Sequence, residues 1–305
     1  MGGIKMKKKK HFSLFDFVNI SLLLVLTLIC LYPLYYTVIA SFSDYLPVAT
    51  GKVYLWPVGF QLTAYEAVFE NTEIWIGYRN TILYTVLGTA FNLILTIPTA
   101  YVMSKKKMFG HNLFTWYFLI TMYFSGGMVP TYLLYKDLGL INNPLVMIVT
   151  GGLSIYNMIV TRTYFSNNIP DSLYEAGRID GSSELGLFFR IALPLSGPIL
   201  AVMALYYAVG HWNSYFNAMM YLSKKDYHPL SLVLRRILIL NESALSEDLL
   251  GMLDPATIAD MARRANMAVV MKYALVLISS APMLIAYPFV QKYFVKGMMI
   301  GSVKG

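Results

Sequence analysis

The sequence predicts an all-α integral membrane protein with six transmembrane helices. Three observations carry this. The composition is 57% hydrophobic and only 13% charged, with a mean hydropathy of +0.56, whereas soluble domains average about 45–50% apolar and about 25% charged. Six apolar stretches are each long enough to meet the roughly 20 residues that a bilayer core demands. The basic residues, which set the pI near 9.3 and the net charge at +8, gather at the ends of those stretches. There they read as topology signals and not as a nucleic-acid surface.

Taken in order, residues 1–16 form a basic N-terminal segment holding Lys5 and Lys7 to Lys10. The apolar stretch that follows, residues 17–42, exceeds a signal-peptide core and is predicted to be the first transmembrane helix, uncleaved. Residues 43–77 form a loop. The second span is expected over 78–103, ending at Lys105-Lys106-Lys107, and the third over 113–135. The fourth covers 144–165 and contains Gly151-Gly152, small residues that permit close packing. A polar stretch occupies 166–194. The fifth span covers 195–222, a long loop 223–267, and the sixth span 268–291. Of the 24 Lys and Arg residues, 14 fall on the side that holds both termini and the polar stretch. The bias places both termini in the cytoplasm.

The polar stretch organises the rest. Ser172-x-x-Glu175 reads as a capping box that starts a short helix. Gly181 suits the helix end, since glycine enters the left-handed region freely. Ser182 or Ser183 can cap a second short helix with Glu184 in its first turn. Leu185, Phe188 and Phe189 would give that helix its apolar face, and Pro194 marks its end. The product is a helix–glycine–helix elbow between two hydrophobic spans.

Glu175, Ala176, Gly181, Ile191, Leu193 and Pro194 stand at the spacing of the EAA loop, and the stretch resembles that loop of ATP-binding-cassette importer permeases. Gly177 replaces the third motif position, one small residue for another. The tail, Gln291 to Gly297 and Gly301 to Gly305, is similar to that of maltose-type sugar-uptake permeases, in a branch serving oligosaccharides. The resemblance implies a type I importer fold with a core over 78–293, a coupling elbow at 171–194, an external loop at 223–267 and a cytoplasmic tail at 294–305. It implies that Glu175, Ala176, Gly177, Asp180, Gly181, Ile191, Leu193 and Pro194 couple the chain to ATPase subunits. The implied partners are a second homologous permease chain, two ATPase subunits and an extracytoplasmic solute-binding protein. The implied substrate is an oligosaccharide, and ATP and Mg belong to the partner subunits. The external loop is expected to meet the binding protein.

The residues themselves exclude other classes. No nucleophile–base set, Walker-type glycine loop or metal-ligand spacing is visible, so the chain is expected to bind no cofactor and catalyse nothing. Cys30 is the only cysteine, which removes any disulfide framework. The fifth span is the most polar. Tyr206, Gly210, Asn213 and Asn217 fall on one helical face, which reads either as part of a translocation path or as interhelical hydrogen-bonding glue. His211 is expected to be a packed core histidine, and glue is the better reading of Asn80 and Asn92. The alternative function is a secondary sugar transporter or channel without ATPase partners, but acidic residues are almost absent from span interiors, which counts against ion coupling.

The topology is testable. On a Cys30-free background, cysteine at position 180 is expected to resist impermeant thiol reagents in intact cells and to react after permeabilisation. Labelling from outside would reverse the orientation.

Overall fold

A computed structural model describes residues 13–243, 267–288 and 291. The basic segment up to residue 12, most of the loop expected over 223–267, and the tail from residue 292 lie outside the described residues. The described residues are helical, with turns and loops between helices. The chain divides into two compact units, one of residues 1–68 with 241–277, the other of residues 69–240 with 278–305.

In the first unit, α1 (Leu14–Ser41) begins at a capping box. Ser13 accepts from the Phe15 amide, and the Asp16 carboxylate accepts from the Ser13 amide. Its residues are exposed over most of its length and become buried only at Ile39, Ala40 and Ser41. The apolar, exposed side chains over residues 14–31 are suited to lipid. The buried end packs with Val48 of α2 (Tyr45–Ala49), Val53 and the half-buried Tyr36, Val269 and Tyr273. Helix α3 (Thr63–Glu70) follows.

The second unit is built on α4 (Thr72–Ser104), a helix of 33 residues. Gly77, Thr81, Tyr84, Gly88, Asn92, Thr96 and Ala100 are all buried. They recur three or four residues apart, which places them on one face. That face meets α8 (Ile155–Asn168) and α12 (Gly197–Trp212).

Among the described residues three helices are long and apolar enough to cross a membrane, α1, α4 and Met267–Pro288, with a fourth if the bent pair Glu184–Leu195 and Gly197–Trp212 forms one span. The other predicted spans are interrupted. The third divides into α5 (His111–Tyr123) and α6 (Met128–Asp137), with Gly127 at φ 89° between them. The fourth divides into α7 (Leu145–Val149) and α8, with Gly151 at φ 70° and the Ser154 hydroxyl capping the second piece. The fifth divides into α12 and α13 (Tyr215–Tyr221), which part at Asn213 and Ser214. Three of the six expected transmembrane stretches are therefore broken helices among the described residues. Glycines free to adopt positive φ open the first two breaks, the third has none, and apolar length alone reveals none of them.

A broken helix leaves backbone carbonyls that must find donors inside the protein. The Asn92 amide donates to the Gly151 carbonyl at 3.0 Å and to the Gly152 carbonyl at 2.8 Å. Its own oxygen lies 2.6 Å from His211 Nε2. Thr96 Oγ1 is 2.6 Å from the Tyr207 hydroxyl, which also accepts from the Ser154 amide at 3.4 Å. Toward the other end of α4, Asn80 donates to the carbonyls of Asp226 and His228, and Thr81 accepts from the Leu230 amide at 2.8 Å. Glu73 pairs with Arg236 and lies 3.6 Å from Lys225. These bonds secure α14 (Leu230–Ser243) at its start. Asn80, Asn92 and His211 thus join elements together.

His211 has room only because residue 88 is glycine. A Cβ there would lie 2.3 Å from the imidazole Cε1, and the ring is held by Asn92. Gly88→Ala is therefore expected to lower stability by about 1–3 kcal/mol, the usual cost of overpacking, read as a lower thermal midpoint in detergent. His211→Ala in the same chain is expected to recover part of the loss.

Candidate functional site

The polar stretch folds as the expected elbow, with local differences. The first arm, α9 (Asp171–Ile179), follows Pro170 as its N-cap residue. Proline at that place starts the helix at Asp171, which moves Ser172 inside the first turn. The expected capping box of Ser172 and Glu175 is accordingly not formed, and no side chain caps α9. At the far end the expectation holds. Asp180 closes the helix, Gly181 sits at φ 77°, and the Ser182 amide donates to the Gly177 carbonyl at 2.9 Å. A left-handed glycine followed by a return bond to the last turn is a Schellman-type ending.

The second arm begins with α10 (Glu184–Leu187), capped by Ser183, whose hydroxyl accepts from the Gly186 amide at 3.2 Å. A π-turn over Phe188–Ala192 follows, then α11 (Leu193–Leu195). The π-turn rotates the register by one residue. Leu187, Phe188 and Ala192 face the core, with Ile191 half-buried beside them as helical spacing dictates, while Leu185 is 70% and Phe189 59% exposed. This corrects the apolar face expected of Leu185, Phe188 and Phe189. Pro194 lies within α11 and does not end the arm. The axis turns by 80° between Leu195 and Gly197, where α12 begins.

The elbow packs beneath α4. Tyr101, Phe165, Tyr174, Leu187 and Phe188 share one buried cluster with Ile97 and Met103. The ring centroids of Tyr101 and Phe188 are 5.0 Å apart, within the range at which aromatic pairs add about 0.5–1.5 kcal/mol beyond burial. The two arms approach most closely at Gly177, where a Cβ would lie 2.5 Å from Leu187 Cδ2 and 2.9 Å from Ile191 Cδ1. Arg178 bridges them from outside, donating to Glu184 Oε1 at 3.0 Å. Both partners are well exposed, so solvent screens most of the attraction.

The motif residues therefore divide. Gly177 is buried, and Ile191 and Leu193 pack half-buried against the cluster. Glu175, Ala176, Asp180, Gly181 and Pro194 are exposed. Glu175 has no ion pair among the described residues. One side of the elbow is fixed to the membrane helices and the other is open.

Lys105, the residue closing α4, was not among the sequence-predicted site residues. Its ammonium lies 2.9 Å from the Tyr174 ring centroid and 4.8 Å from that of Tyr101. Burial, with the Arg178 cation second, pulls its pKa down to about 8, against an opposing pull from Asp171 and Glu184. The run Lys105–Lys107 gave a topology signal in the sequence, but nothing there placed Lys105 over Tyr174.

The predicted path residues separate. Tyr206 and Gly210 are exposed on α12, Asn213 closes that helix, and Asn217 lies half-buried on α13. The break at Ser214 undoes the single continuous face expected for them. Asn213 lines a cavity of about 390 Å³ together with Trp212, Ser231, Ser279, Ser280 and Tyr287. The other three do not line it. Sequence reasoning missed the serines because they sit on α14 and on α15 (Met267–Pro288), distant in the chain.

A helical membrane core with an amphipathic elbow between spans is the architecture of an importer's membrane subunit. The chain belongs to the family of binding-protein-dependent transport system inner membrane components, whose family model matches residues 74–300. It is 36% identical over 292 residues to the polygalacturonan/rhamnogalacturonan transport system permease protein YtcP of Bacillus subtilis (strain 168), covering 96% of this chain and 99% of the relative. It is 37% identical over 301 residues to protein LplC of the same organism, covering 98% of each. Its fold matches, at a TM-score of 0.82 and 32% identity, a bacterial ABC transporter solved by crystallography and involved in import of the acidic polysaccharide alginate. That match covers 95% of this chain and 100% of the other.

The contact at Gly177 gives a graded expectation. Gly177→Ala meets only the ends of flexible Leu187 and Ile191 side chains and is expected to be tolerated. Gly177→Val crowds the same contact further and is expected to part the two arms, read as faster proteolysis within 171–194 at unchanged membrane levels.

Proposed function

We propose that this chain is a permease subunit of an ATP-driven importer for oligosaccharides of polysaccharide origin, embedded in the bacterial cell membrane with both termini cytoplasmic. It forms half of the translocation path beside a second, homologous permease chain. Two ATPase subunits hold the ATP and Mg. An extracytoplasmic solute-binding protein delivers the sugar, and this chain catalyses no reaction of its own. Family membership and the permeases YtcP and LplC support the transport role, and the alginate importer supports an oligosaccharide as cargo.

The observation that carries the coupling role is the divided elbow. Its inner side is keyed into the α4 cluster through Tyr174, Gly177, Leu187 and Phe188, while Glu175, Ala176 and Asp180 stand open. A partner that pushes on the open side moves α4 through the packed side. Glu175, unpaired within the described residues, is the acid offered to a basic group on the ATPase. The Asn213 cavity, a mainly apolar wall carrying Asn213, three serines, Trp212 and Tyr287, is the part of the sugar's route in this chain, since those groups match sugar hydroxyls and ring faces.

Gly181 tests this reading. A Cβ there meets nothing within 4 Å, so a substitution acts only through φ. Valine resists positive φ, and Gly181→Val is expected to swing the second arm out of place. Membrane levels stay normal, ATPase co-purification weakens and sugar uptake is lost. Glu175→Ala is expected to act more mildly, as loss of a rim charge pair is worth about 0–1 kcal/mol. Wild-type co-purification and uptake in Gly181→Val would remove the coupling role.

A further inference from the structure

Beside the elbow, two cavities adjoin at the end of α4. One, of about 360 Å³, is lined by Tyr101, Lys105, Lys107, Arg178 and Glu184 among others. The second, of about 320 Å³, is lined by Pro98, Met103, Phe114 and Phe118, and its one polar lining residue, Thr99, has its hydroxyl bonded to the Leu95 carbonyl. Val102 and Met108 line both cavities. A cationic pocket thus opens into an apolar slot.

The pocket is unbalanced in charge. Three cations meet one carboxylate, and Glu184 is already held by Arg178 at 3.0 Å. Lys105 and Lys107 have no ion pair among the described residues. The buried hydroxyls of Tyr101 and Tyr174, the two rings against Lys105, have no hydrogen-bond partner among the described residues. The pKa of Lys105 is depressed first by burial and then by the Arg178 cation, which outweigh Asp171 and Glu184. The pocket follows directly on the last residue of a membrane-crossing helix, where basic groups meet lipid headgroups.

We infer that the joined cavities bind one anionic phospholipid, its phosphate among Lys105, Lys107 and Arg178 and an acyl chain in the slot formed by Pro98, Met103, Phe114 and Phe118. A soluble phosphate would satisfy the pocket and leave the slot without a role, which favours a lipid. Lys105 closes α4 and Arg178 belongs to α9, so the headgroup ties the elbow to the helix above it. The inference rests on the reading that the elbow lies at the membrane's inner face.

The test is native mass spectrometry of the assembled importer, offered phosphatidylglycerol or phosphatidylcholine. Wild type is expected to retain phosphatidylglycerol preferentially. Lys105→Gln and Lys107→Gln are each expected to lower that preference about fivefold, near the contribution of one basic residue at a charged membrane. Lys105→Arg is expected to keep it. Lys107 is exposed, so its variant isolates charge from packing if Lys105→Gln fails to fold. Millimolar glycerol 3-phosphate is expected to leave the lipid in place. Equal retention of the two lipids by wild type, or a preference unchanged in both glutamine variants, overturns the inference. Displacement by glycerol 3-phosphate identifies a soluble-anion site and overturns it too. Retention is read without transport, so bound lipid together with normal uptake in Gly181→Val would sink the coupling role and leave the lipid site standing.

Discussion

The side chain of Asn92 holds the second unit in register. In hydrocarbon, a carbonyl freed by a helix break has no water to turn to. Asn92 supplies both missing donors, to Gly151 and Gly152, and passes its remaining oxygen to His211. Each partner in that set constrains another. His211 fits only against Gly88, and Tyr207 reaches Thr96 and Ser154 from the same helix as His211. Four segments are thereby fixed by a handful of neutral hydrogen bonds. None requires a charge at membrane depth, where charge is costly. The fourth span can be broken because α4 completes its backbone.

The Lys105 end of α4 repeats the logic with aromatic packing in place of amides. Tyr101 is the hub: it meets Phe165, Tyr174 and Phe188, three rings from three different segments. Helix α8, the first arm and the second arm all reach it. Gly177 then lets the arms close over one another. The elbow is held by side chains whose contacts lie almost wholly on its inner surface. Apart from the Arg178–Glu184 bridge, its outward residues are consequently spared from structural duty, which is the condition under which a surface can be given over to a partner.

Much of this was legible in the chain, and what was not has a physical cause. Membrane class, helical content and the glycine-centred elbow follow from composition, apolar length and the Gly181 ending, all local properties. The roles of Asn80, Asn92 and His211 as joining residues follow from the cost of burying polar groups. Helix breaks were missed because Gly127 and Gly151 look the same in sequence whether they permit packing or adopt positive φ. The apolar face of the second arm differs because Leu185 and Phe189, though apolar, fall beside the buried side formed by Leu187, Phe188 and Ala192, and apolar identity alone does not choose between two neighbouring faces. The cap at Ser172 failed because Pro170 starts the helix first. The serines beside Asn213 and the placement of Lys105 over Tyr174 depend on segments far apart in the chain, which no local pattern encodes.

The length of α4 has its own consequence. At about 1.5 Å per residue, its 33 residues make a rod of about 50 Å, against a hydrocarbon core of about 30 Å. The rod overhangs the bilayer. Glu73, in its first turn, is tied to Arg236 and Lys225. Lys105, at its other end, rests on a ring of the elbow. If a bilayer grips such a rod between its ends, a tilt at the Glu73 end carries the Lys105 end the opposite way, and the stroke depends on where the grip falls.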